Sequence, residues 1–237
     1  SPHPWFSRSS MGGDLGHALR GAGYCGVVCL GRAPRPVVLH VSEEGARLEE
    51  AGDLWGRGIM ATQQALRGGR RDARVAAIGQ AGETLSRIAS IGINEGSAAG
   101  QCGFGAVMGS KNLKAVVAHG DAPRPIADPE GLRALLVALA REHTEDRERR
   151  AGGSGRSGLP AQGKPAPCSR GCLVACAMRF EGVRGVVFPD REYAGVAQCC
   201  SYRYAGGEDL PWHLGFAGGL ELNVLANDWG INHWDVV

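Results

Sequence analysis

Three cysteines lie within nine residues in the second half of the chain. Cys168, Cys172 and Cys176 occur in the sequence CSRGCLVAC, directly after a stretch rich in Gly, Ser and Pro. Thiolates spaced this closely on a loop can converge on one iron–sulfur cluster. A cubane cluster takes four ligands, so we expect a fourth from Cys199, Cys200 or a residue outside this sequence. Zinc uses the same ligand types and is the main alternative, and small buried side chains without a metal are the other.

The Gly-rich segment at residues 96–109 is a second candidate for chemistry. Gly accounts for 38 of the 237 residues, about twice its usual share of roughly 7%. The backbone amides of such a loop can cradle a polar or anionic cofactor. The segment is not a P-loop, because its Lys and Ser stand in the wrong order, and no dinucleotide fingerprint follows a clear strand. The residues alone therefore predict a cofactor-facing loop.

Five segments, in the same order along the chain, resemble segments of the aldehyde ferredoxin oxidoreductases. The sequence GFGAVMGSKNLKA at residues 103–115 closely resembles the family signature GVGAVMGSKNLKAI. Residues 12–24 resemble its Gly-Gly segment that ends in Ala-Gly-Tyr, and AIGQAGE at residues 77–83 is similar to its IGPAGEN. The CSRGCLVAC stretch resembles its C-x-x-C-x-x-x-C. NDWGIN at residues 227–232 resembles the first of its two D-x-x-G-L-(C/D) pterin motifs.

The resemblance implies an α+β chain, in which a mixed β-sheet domain precedes the start of a helical domain. We place the partial pterin-binding domain at residues 1–122 and the second domain, with the cysteine cluster, at residues 126–237. The family oxidises aldehydes to carboxylic acids with a tungsten (or molybdenum) bis-pterin cofactor, and a 4Fe-4S cluster passes electrons to ferredoxin. The implied partners are ferredoxin or an electron-transfer subunit and a small aldehyde or acid. A cytoplasmic oligomer is expected.

The same resemblance assigns site residues position by position. Glu192 stands where the family has a glutamate near the substrate pocket, although its sequence context alone predicts an exposed carboxylate. The implied cluster ligands are Cys168, Cys172 and Cys176. The implied pterin contacts are Ser10, Gly12, Ser97, Ala98, Gly100, Asn227, Ile231 and Asn232.

Several of these positions depart from the family pattern. Ser10 replaces a usual Asn, and the family has Arg at or near Ser97 and Gln101. Losing cationic donors should weaken the grip on pterin phosphates, since each charge-assisted hydrogen bond contributes roughly 1.5–3 kcal/mol. Asn227 and Asn232 replace carboxylates, and an amide can accept a hydrogen bond but carries no charge.

Two further departures concern metals. The first cysteine gap has three residues where the family has two, so Cys168 has to reach its metal across a longer loop. Glu221 begins an E-x-x-H motif in some relatives, but Val224 occupies the His position here, and we predict no bridging iron. The family's chains also begin before this sequence and continue past it, so we expect a fragment.

Three alternatives remain open at the level of sequence. A benzoyl-CoA reductase-type catalytic subunit uses the same scaffold for ring reduction. A non-catalytic iron–sulfur electron-transfer or assembly subunit that has lost the pterin site is suggested by the replaced Asn and Arg contacts. A zinc-stabilised binding module would account for the cysteines alone.

Apolar periodicity predicts the elements that must position these residues. Cys25 and Cys29 share one face of a predicted strand, where packing accounts for both. Residues 96–109 and 151–167 are predicted loops. Strands are predicted at residues 25–30, 37–41, 75–78 and 113–118, and helices at residues 11–22, 59–66, 82–94, 130–149 and 212–227.

Composition limits the classes of protein to which this chain can belong. Hydrophobic residues make up 43% and charged residues 21%, as in an ordinary globular domain. The net charge of +2 is too small to indicate nucleic acid binding, and the basic stretch at residues 67–74 is predicted to be a solvated loop. The sequence contains no apolar run long enough for a membrane span and no signal-like segment.

Overall fold

A computed structural model of the chain describes residues 6–123, 125–149, 162–169, 171–172, 177–197, 204 and 213–236. These residues combine helices with two β-sheets, one in each half of the chain. The predicted α+β fold class, with a mixed sheet in the first half, is confirmed. The domain boundary placed between residues 122 and 126 stays a prediction.

The first half is built on a six-stranded mixed sheet with the order β2-β1-β6-β3-β4-β5. Within it, β1 runs parallel to β6, whereas every other neighbouring pair is antiparallel. The short pair β4 and β5 forms one edge, so the chain segment between them projects from that edge. The strands are β1 Val37–Ser42, β2 Gly45–Glu50, β3 Arg74–Ala77, β4 Ile91–Gly92, β5 Ala98–Ala99 and β6 Leu113–Ala118.

Helices cover both faces of this sheet, because side chains alternate between the faces of each strand. Helix α2 (Ile59–Arg67) lies on the face that carries Val75 and Val117. Helix α1 (Leu15–Gly21) packs on the opposite face against Ala76. Burial on both sides is the reason that the central strands read as almost unbroken apolar runs.

Two short helices complete the first half, namely α3 (Gln80–Glu83) and α4 (Phe104–Ser110). Small residues let α4 approach neighbouring backbone closely. A Cβ at Gly105 would come within 2.5 Å of the Ser90 carbonyl oxygen, and one at Gly109 within 2.0 Å of the Gly82 carbonyl oxygen. These glycines of the GFGAVMGSKNLKA signature therefore serve packing. The prediction that residues 96–109 form one long loop was wrong at Ala98–Ala99, which form β5, and from Phe104 onward.

The second half contains a three-stranded antiparallel sheet covered by a helix. Phe180 of the central strand and Phe216 of the helix meet edge to face, with ring centroids 4.6 Å apart. The sequence analysis did not predict these strands, because the longest of them alternates apolar with charged residues and is interrupted at Gly182, where φ is 65°. The elements are α5 Pro129–Arg149, β7 Lys164–Ala166, β8 Ala177–Arg184, β9 Glu192–Ala197 and α6 Gly215–Trp229.

Two other predicted elements of the first half were wrong. Residues 25–30 belong to no β-ladder of the described residues, and Val28 is 85% exposed. Cys25 is accordingly exposed rather than packed. The helix predicted at residues 82–94 stops after one turn, since Leu85 has a positive φ of 61° and the chain then enters β4.

A buried ion pair joins three segments of the first half. The Lys114 side chain on β6 is fully buried, and its Nζ donates to Glu83 Oε1 at 2.5 Å. The same ammonium donates to the carbonyl oxygens of Ile78 and Arg57, each at 2.7 Å. Burial lowers the pKa of Lys114, and the Glu83 carboxylate offsets part of that effect. All three protons of the ammonium thus have an acceptor, as a buried charge requires.

Replacing Lys114 by Met should lower the free energy of unfolding by about 3–5 kcal/mol, because the Glu83 carboxylate would be left buried without its cation. Urea unfolding followed by circular dichroism measures this change. Lys164→Met is the matched control, since Lys164 is 77% exposed at its side chain and lies 3.6 Å from Glu181. This control should change stability by less than about 1 kcal/mol. Equal effects for the two variants would contradict the assignment of a structural role to the buried pair.

Candidate functional site

The segment at residues 94–102 lies at the β4–β5 edge of the six-stranded sheet. The Asn94 side-chain oxygen accepts hydrogen bonds from the backbone amides of Gly96 and Ser97, at 3.0 and 2.6 Å. The Ile93 amide donates to the Ser97 carbonyl at 2.8 Å, which closes the turn. Ala98 then pairs with Gly92 across the two strands. Asn94 therefore fixes how the predicted pterin contacts Ser97 and Ala98 are presented.

The N-terminal Gly-Gly pair and the first cysteine of the cluster motif meet at this turn. The Gly13 amide donates to the Cys168 carbonyl oxygen at 2.6 Å, and the Ser97 hydroxyl donates to the same oxygen at 3.1 Å. A Cβ at Gly12 would lie 3.0 Å from the Ser97 hydroxyl oxygen, closer than an ordinary van der Waals contact. Three stretches distant in sequence are thereby held together.

The NDWGIN motif reaches the same segment from the end of α6. Gly230, with a φ of 76°, ends the helix, and Ile231 forms a β-bridge with Ala89. The next amide, that of Asn232, donates to a backbone carbonyl of the first half at 2.9 Å. A Cβ at Gly100 would come within 2.8 Å of the Asn232 side-chain oxygen. The predicted contacts Gly100, Ile231 and Asn232 are thus neighbours.

The segment before Gly12 also approaches this loop. The Gln101 amide donates to the Ser9 hydroxyl at 3.2 Å, and the predicted contact Ser10 is the next residue, exposed to solvent. Of the eight positions predicted to contact a pterin, three therefore lie within residues 94–102 and five lie on segments that border this range.

Asn227 forms a half-buried polar pair with His233, which the sequence analysis did not single out. Asn227 Nδ2 donates to the Glu95 carbonyl at 3.3 Å, and His233 Nε2 lies 2.8 Å from Asn227 Oδ1. Because that oxygen is an acceptor, the assigned tautomer of His233 carries its proton on Nε2. Burial lowers the pKa of His233 to about 4, so the ring is neutral at pH 7. Its position directly after the NDWGIN motif was the available signal.

The second ring nitrogen of His233 faces the protein interior. Nδ1 is buried and has no hydrogen-bond partner among the residues that the structure describes. In the neutral ring this atom is an acceptor. It is a buried acceptor beside the predicted pterin contact Asn227.

Asp228, another residue of the motif that sequence reasoning missed, ties α6 to the first half. Its Oδ1 accepts a hydrogen bond from the Met60 amide at 2.8 Å. Met60 lies in the first turn of α2, whose N-cap Gly58 has no side chain to cap the helix. A carboxylate at this position gives one free amide a hydrogen-bond acceptor, and its negative charge interacts favourably with the positive end of the helix dipole.

The Glu221 carboxylate is held by backbone amides. Its carboxylate accepts from the amides of Val186, Val187 and Phe188 at 2.7–3.0 Å. Burial acts to raise the pKa of Glu221, but these hydrogen bonds outweigh it and the net shift is downward. Val224, one turn later, packs in the apolar cluster between α6 and its sheet. The prediction that no iron bridges this position stays a prediction.

The cysteine cluster is only partly within the described residues. Cys168 and Cys172 are half-buried, on a turn in which the Cys172 amide donates to the Ser169 carbonyl at 3.2 Å. Cys176, the third predicted ligand, lies outside the described residues, as do Cys199 and Cys200. Within the described ranges no three His, Cys, Asp or Glu side chains converge on a common point. The assignment of these thiols as metal ligands stays a prediction.

Glu192, the predicted catalytic residue, lies on the other sheet. It is exposed at the start of β9, where it pairs with Arg184 of β8. It is not part of the group that surrounds residues 94–102, and its catalytic role stays a prediction.

The polar side chains of this group fit a pterin only in part. The segments converge, and the His233 acceptor lacks a partner among the described residues. The Ser97 hydroxyl and both ends of the Asn227 amide, however, already bond within the chain. The Asn232 amide nitrogen donates to Asp235 at 2.6 Å. The group offers backbone and amide contacts but no cation for a phosphate.

The six-stranded sheet and the segments gathered at its edge form a domain that is found in a family of redox enzymes. Residues 1–120 match the family model described as aldehyde ferredoxin oxidoreductase, N-terminal domain. The chain therefore belongs to the aldehyde ferredoxin oxidoreductase family.

Individual relatives agree with this membership. The chain is 36% identical to the tungsten-containing aldehyde ferredoxin oxidoreductase of Pyrococcus furiosus over 162 residues, which cover 67% of this chain and 26% of the relative. It is 34% identical to an aliphatic sulfonate oxidoreductase, WOR-like subunit, of the same organism, over 56% of this chain and 24% of that protein. The chain spans about a quarter of the length of the curated relatives it matches.

A solved structure shows the same fold. The active site complex BamBC of benzoyl coenzyme A reductase, in complex with 1,5-dienoyl-CoA, superposes with a TM-score of 0.75 and 22% sequence identity. The match covers 95% of this chain and 40% of the other.

Replacing Asp228 by Ala should lower the free energy of unfolding by about 1–2 kcal/mol, because the first turn of α2 loses its capping acceptor. Chemical unfolding curves at pH 7 measure the loss. Asp190→Ala, at an exposed turn position, is the control and should leave the curve nearly unchanged. A neutral result for Asp228→Ala would show that the cap contributes nothing.

His233 should make the protein less stable as the pH falls from 7 to 5. The unfolded chain takes up a proton near the ordinary pKa of 6.5, whereas the folded chain does so only near pH 4. The expected loss is about 2 kcal/mol over this interval, levelling off below pH 4. Unfolding free energies of the parent and of His233→Gln at both pH values test this. The variant should lose this part of the pH dependence, whereas His213→Gln, at an exposed position, should keep it.

Proposed function

We propose that this chain is part of a tungsten-pterin oxidoreductase that oxidises an aldehyde to a carboxylic acid. Water supplies the added oxygen, and two electrons leave through a 4Fe-4S cluster to ferredoxin or an electron-transfer subunit. The cofactor, with tungsten or molybdenum, supplies the redox chemistry when bound. A cytoplasmic oligomer is part of the proposal. The support is family membership together with the tungsten-containing oxidoreductases among the relatives.

One observation carries the proposal. The Cys168 carbonyl accepts hydrogen bonds from Gly13 and Ser97. The segment expected to bind the pterin therefore contacts the segment expected to bind the cluster. A redox enzyme needs its two centres close together, and this contact supports the proposal on that ground.

The chain's own residues would hold and orient the cofactor. Gly12, Ala98 and Gly100 would let its edge approach the backbone closely, and Asn227 and Asn232 would bound it from α6. His233, neutral at pH 7, presents an acceptor nitrogen beside Asn227 and so can take a hydrogen bond from an N–H group. The cluster ligands would be Cys168, Cys172 and Cys176, and Glu192 the carboxylate of the substrate pocket.

A second candidate is an iron–sulfur electron-transfer or assembly subunit that binds no pterin. The internal hydrogen bonds of Ser97, Asn227 and Asn232 favour it, because these side chains already have partners. Ring reduction of the benzoyl-CoA reductase type has no comparable support, since the likeness at 22% identity shows the fold alone.

Elemental analysis of the full-length protein, purified without oxygen, separates these functions. The leading proposal predicts tungsten or molybdenum together with about four Fe per chain, and reduction of a viologen dye by an aldehyde. Iron without tungsten or molybdenum supports the electron-transfer subunit. Zinc alone, or no metal, contradicts both.

Cysteine variants test the assigned ligands in the same preparation. Cys172→Ser and Cys176→Ser should remove most of the iron and the absorbance near 400 nm. Cys25→Ser is the control, because Cys25 is exposed and bonded only to Arg20 among the described contacts. Full iron content in Cys172→Ser would refute the ligand assignment.

A further inference from the structure

An arginine-rich cleft lies next to the group of segments described above. Its volume is about 880 Å³, within the usual range for small-molecule sites of roughly 300–1,000 Å³. The last turn of α2 and the following turn form one wall, residues 94–96 a second, and residues 166–168 a third. Four arginines line it, namely Arg67, Arg70, Arg71 and Arg74. The sequence predicted a solvated loop here, but the fold bends this stretch into a concave surface.

Two of the four arginines have a carboxylate partner. Arg70 pairs with Asp72 at 3.2 Å, and Arg74 pairs with Asp14 at 3.5 Å. The acidic residue in the lining, Glu95, forms its own ion pair with Arg179, which is not part of the lining. The cleft therefore carries more positive than negative charge.

Arg71 and Arg67 have no carboxylate partner among the described residues; Arg71 is exposed, and the half-buried one of the two is Arg67. It forms no ion pair with a described residue, and its Nε is buried without a hydrogen-bond partner among them. Burial, and then the neighbouring Arg74 cation, lower the pKa of Arg67. Two guanidinium groups held close together in a partly desolvated cleft repel each other, and a bound anion would relieve that repulsion.

The cleft is separate from the proposed pterin contacts. None of the residues predicted to contact a pterin lines it. It does include Cys168 and the Asn94 side chain, whose oxygen fixes the turn at Ser97. A ligand in the cleft would therefore lie beside the cofactor-facing segment.

We propose that this cleft binds a small phosphate-bearing molecule, with a phosphate group against the guanidinium of Arg67 and the adjacent guanidinium of Arg74. Phosphate fits because its oxygens can accept forked hydrogen bonds from more than one guanidinium group at once. The concave shape favours a small molecule over a protein surface. The proposal does not depend on the tungsten-pterin function.

Calorimetric titration of the purified protein with inorganic pyrophosphate tests the proposal. Saturable binding is expected, and it should weaken as salt is raised. Arg67→Gln should weaken it at least about tenfold, and Arg67→Lys should weaken it less, because charge is kept while the forked geometry is lost. Arg184→Gln, an exposed arginine on β8, is the control and should bind like the parent. Circular dichroism of each variant shows that it is folded.

A second titration, with adenosine diphosphate, identifies the source of the phosphate. Affinity at least tenfold above that of pyrophosphate supports a nucleotide-type ligand, and equal or lower affinity supports a free phosphate or pyrophosphate. The proposal is overturned if the parent shows no saturable binding of either probe. It is also overturned if folded Arg67→Gln and Arg184→Gln bind as the parent does.

Discussion

The first half of this molecule depends on one buried cation. Lys114 projects from a central strand and bonds simultaneously to the carbonyl of Arg57, the carbonyl of Ile78 and the carboxylate of Glu83. A charge removed from water is tolerated only when every donor finds an acceptor. Lys114 thus fixes the turn before α2 and the start of α3 against the sheet. Two segments that carried the family resemblance, AIGQAGE and GSKNLKA, are joined by this ion pair.

A comparable constraint operates between the two halves. The end of α6 supplies the Asp228 cap of α2, the Ile231 bridge to Ala89 and the Asn232 amide beside Gly100. One short motif therefore caps a helix, forms an isolated β-bridge to Ala89 and borders the cofactor-facing segment. Different residues of one motif can thus stabilise the fold or border the site. The residue types in the motif do not by themselves show which residue has which role.

The candidate site has many hydrogen bonds to its backbone but few charged side chains. The substitutions at Ser97 and at both Asn positions leave neutral side chains, most of which bond within the chain. Positive charge is instead concentrated in the adjoining cleft, on the wall formed by Arg67 and its neighbours. Both features follow from how the β4–β5 edge, the end of α2 and the Cys168 turn meet.

The sequence by itself determined the fold class, the central strands β1, β3 and β6, the helices α2, α5 and α6, and the segments that border the site, because apolar periodicity and short motifs are local properties. It did not determine the helical form of residues 104–110. The glycines in that helix are there because it packs closely against the backbone of α3 and of residues 89–90. Nor did the sequence reveal the roles of Asp228 and His233, or the cleft at Arg67. Those depend on partners that are remote in the chain, and only the tertiary structure decides which remote groups meet, how deeply they are buried and which charges remain unpaired.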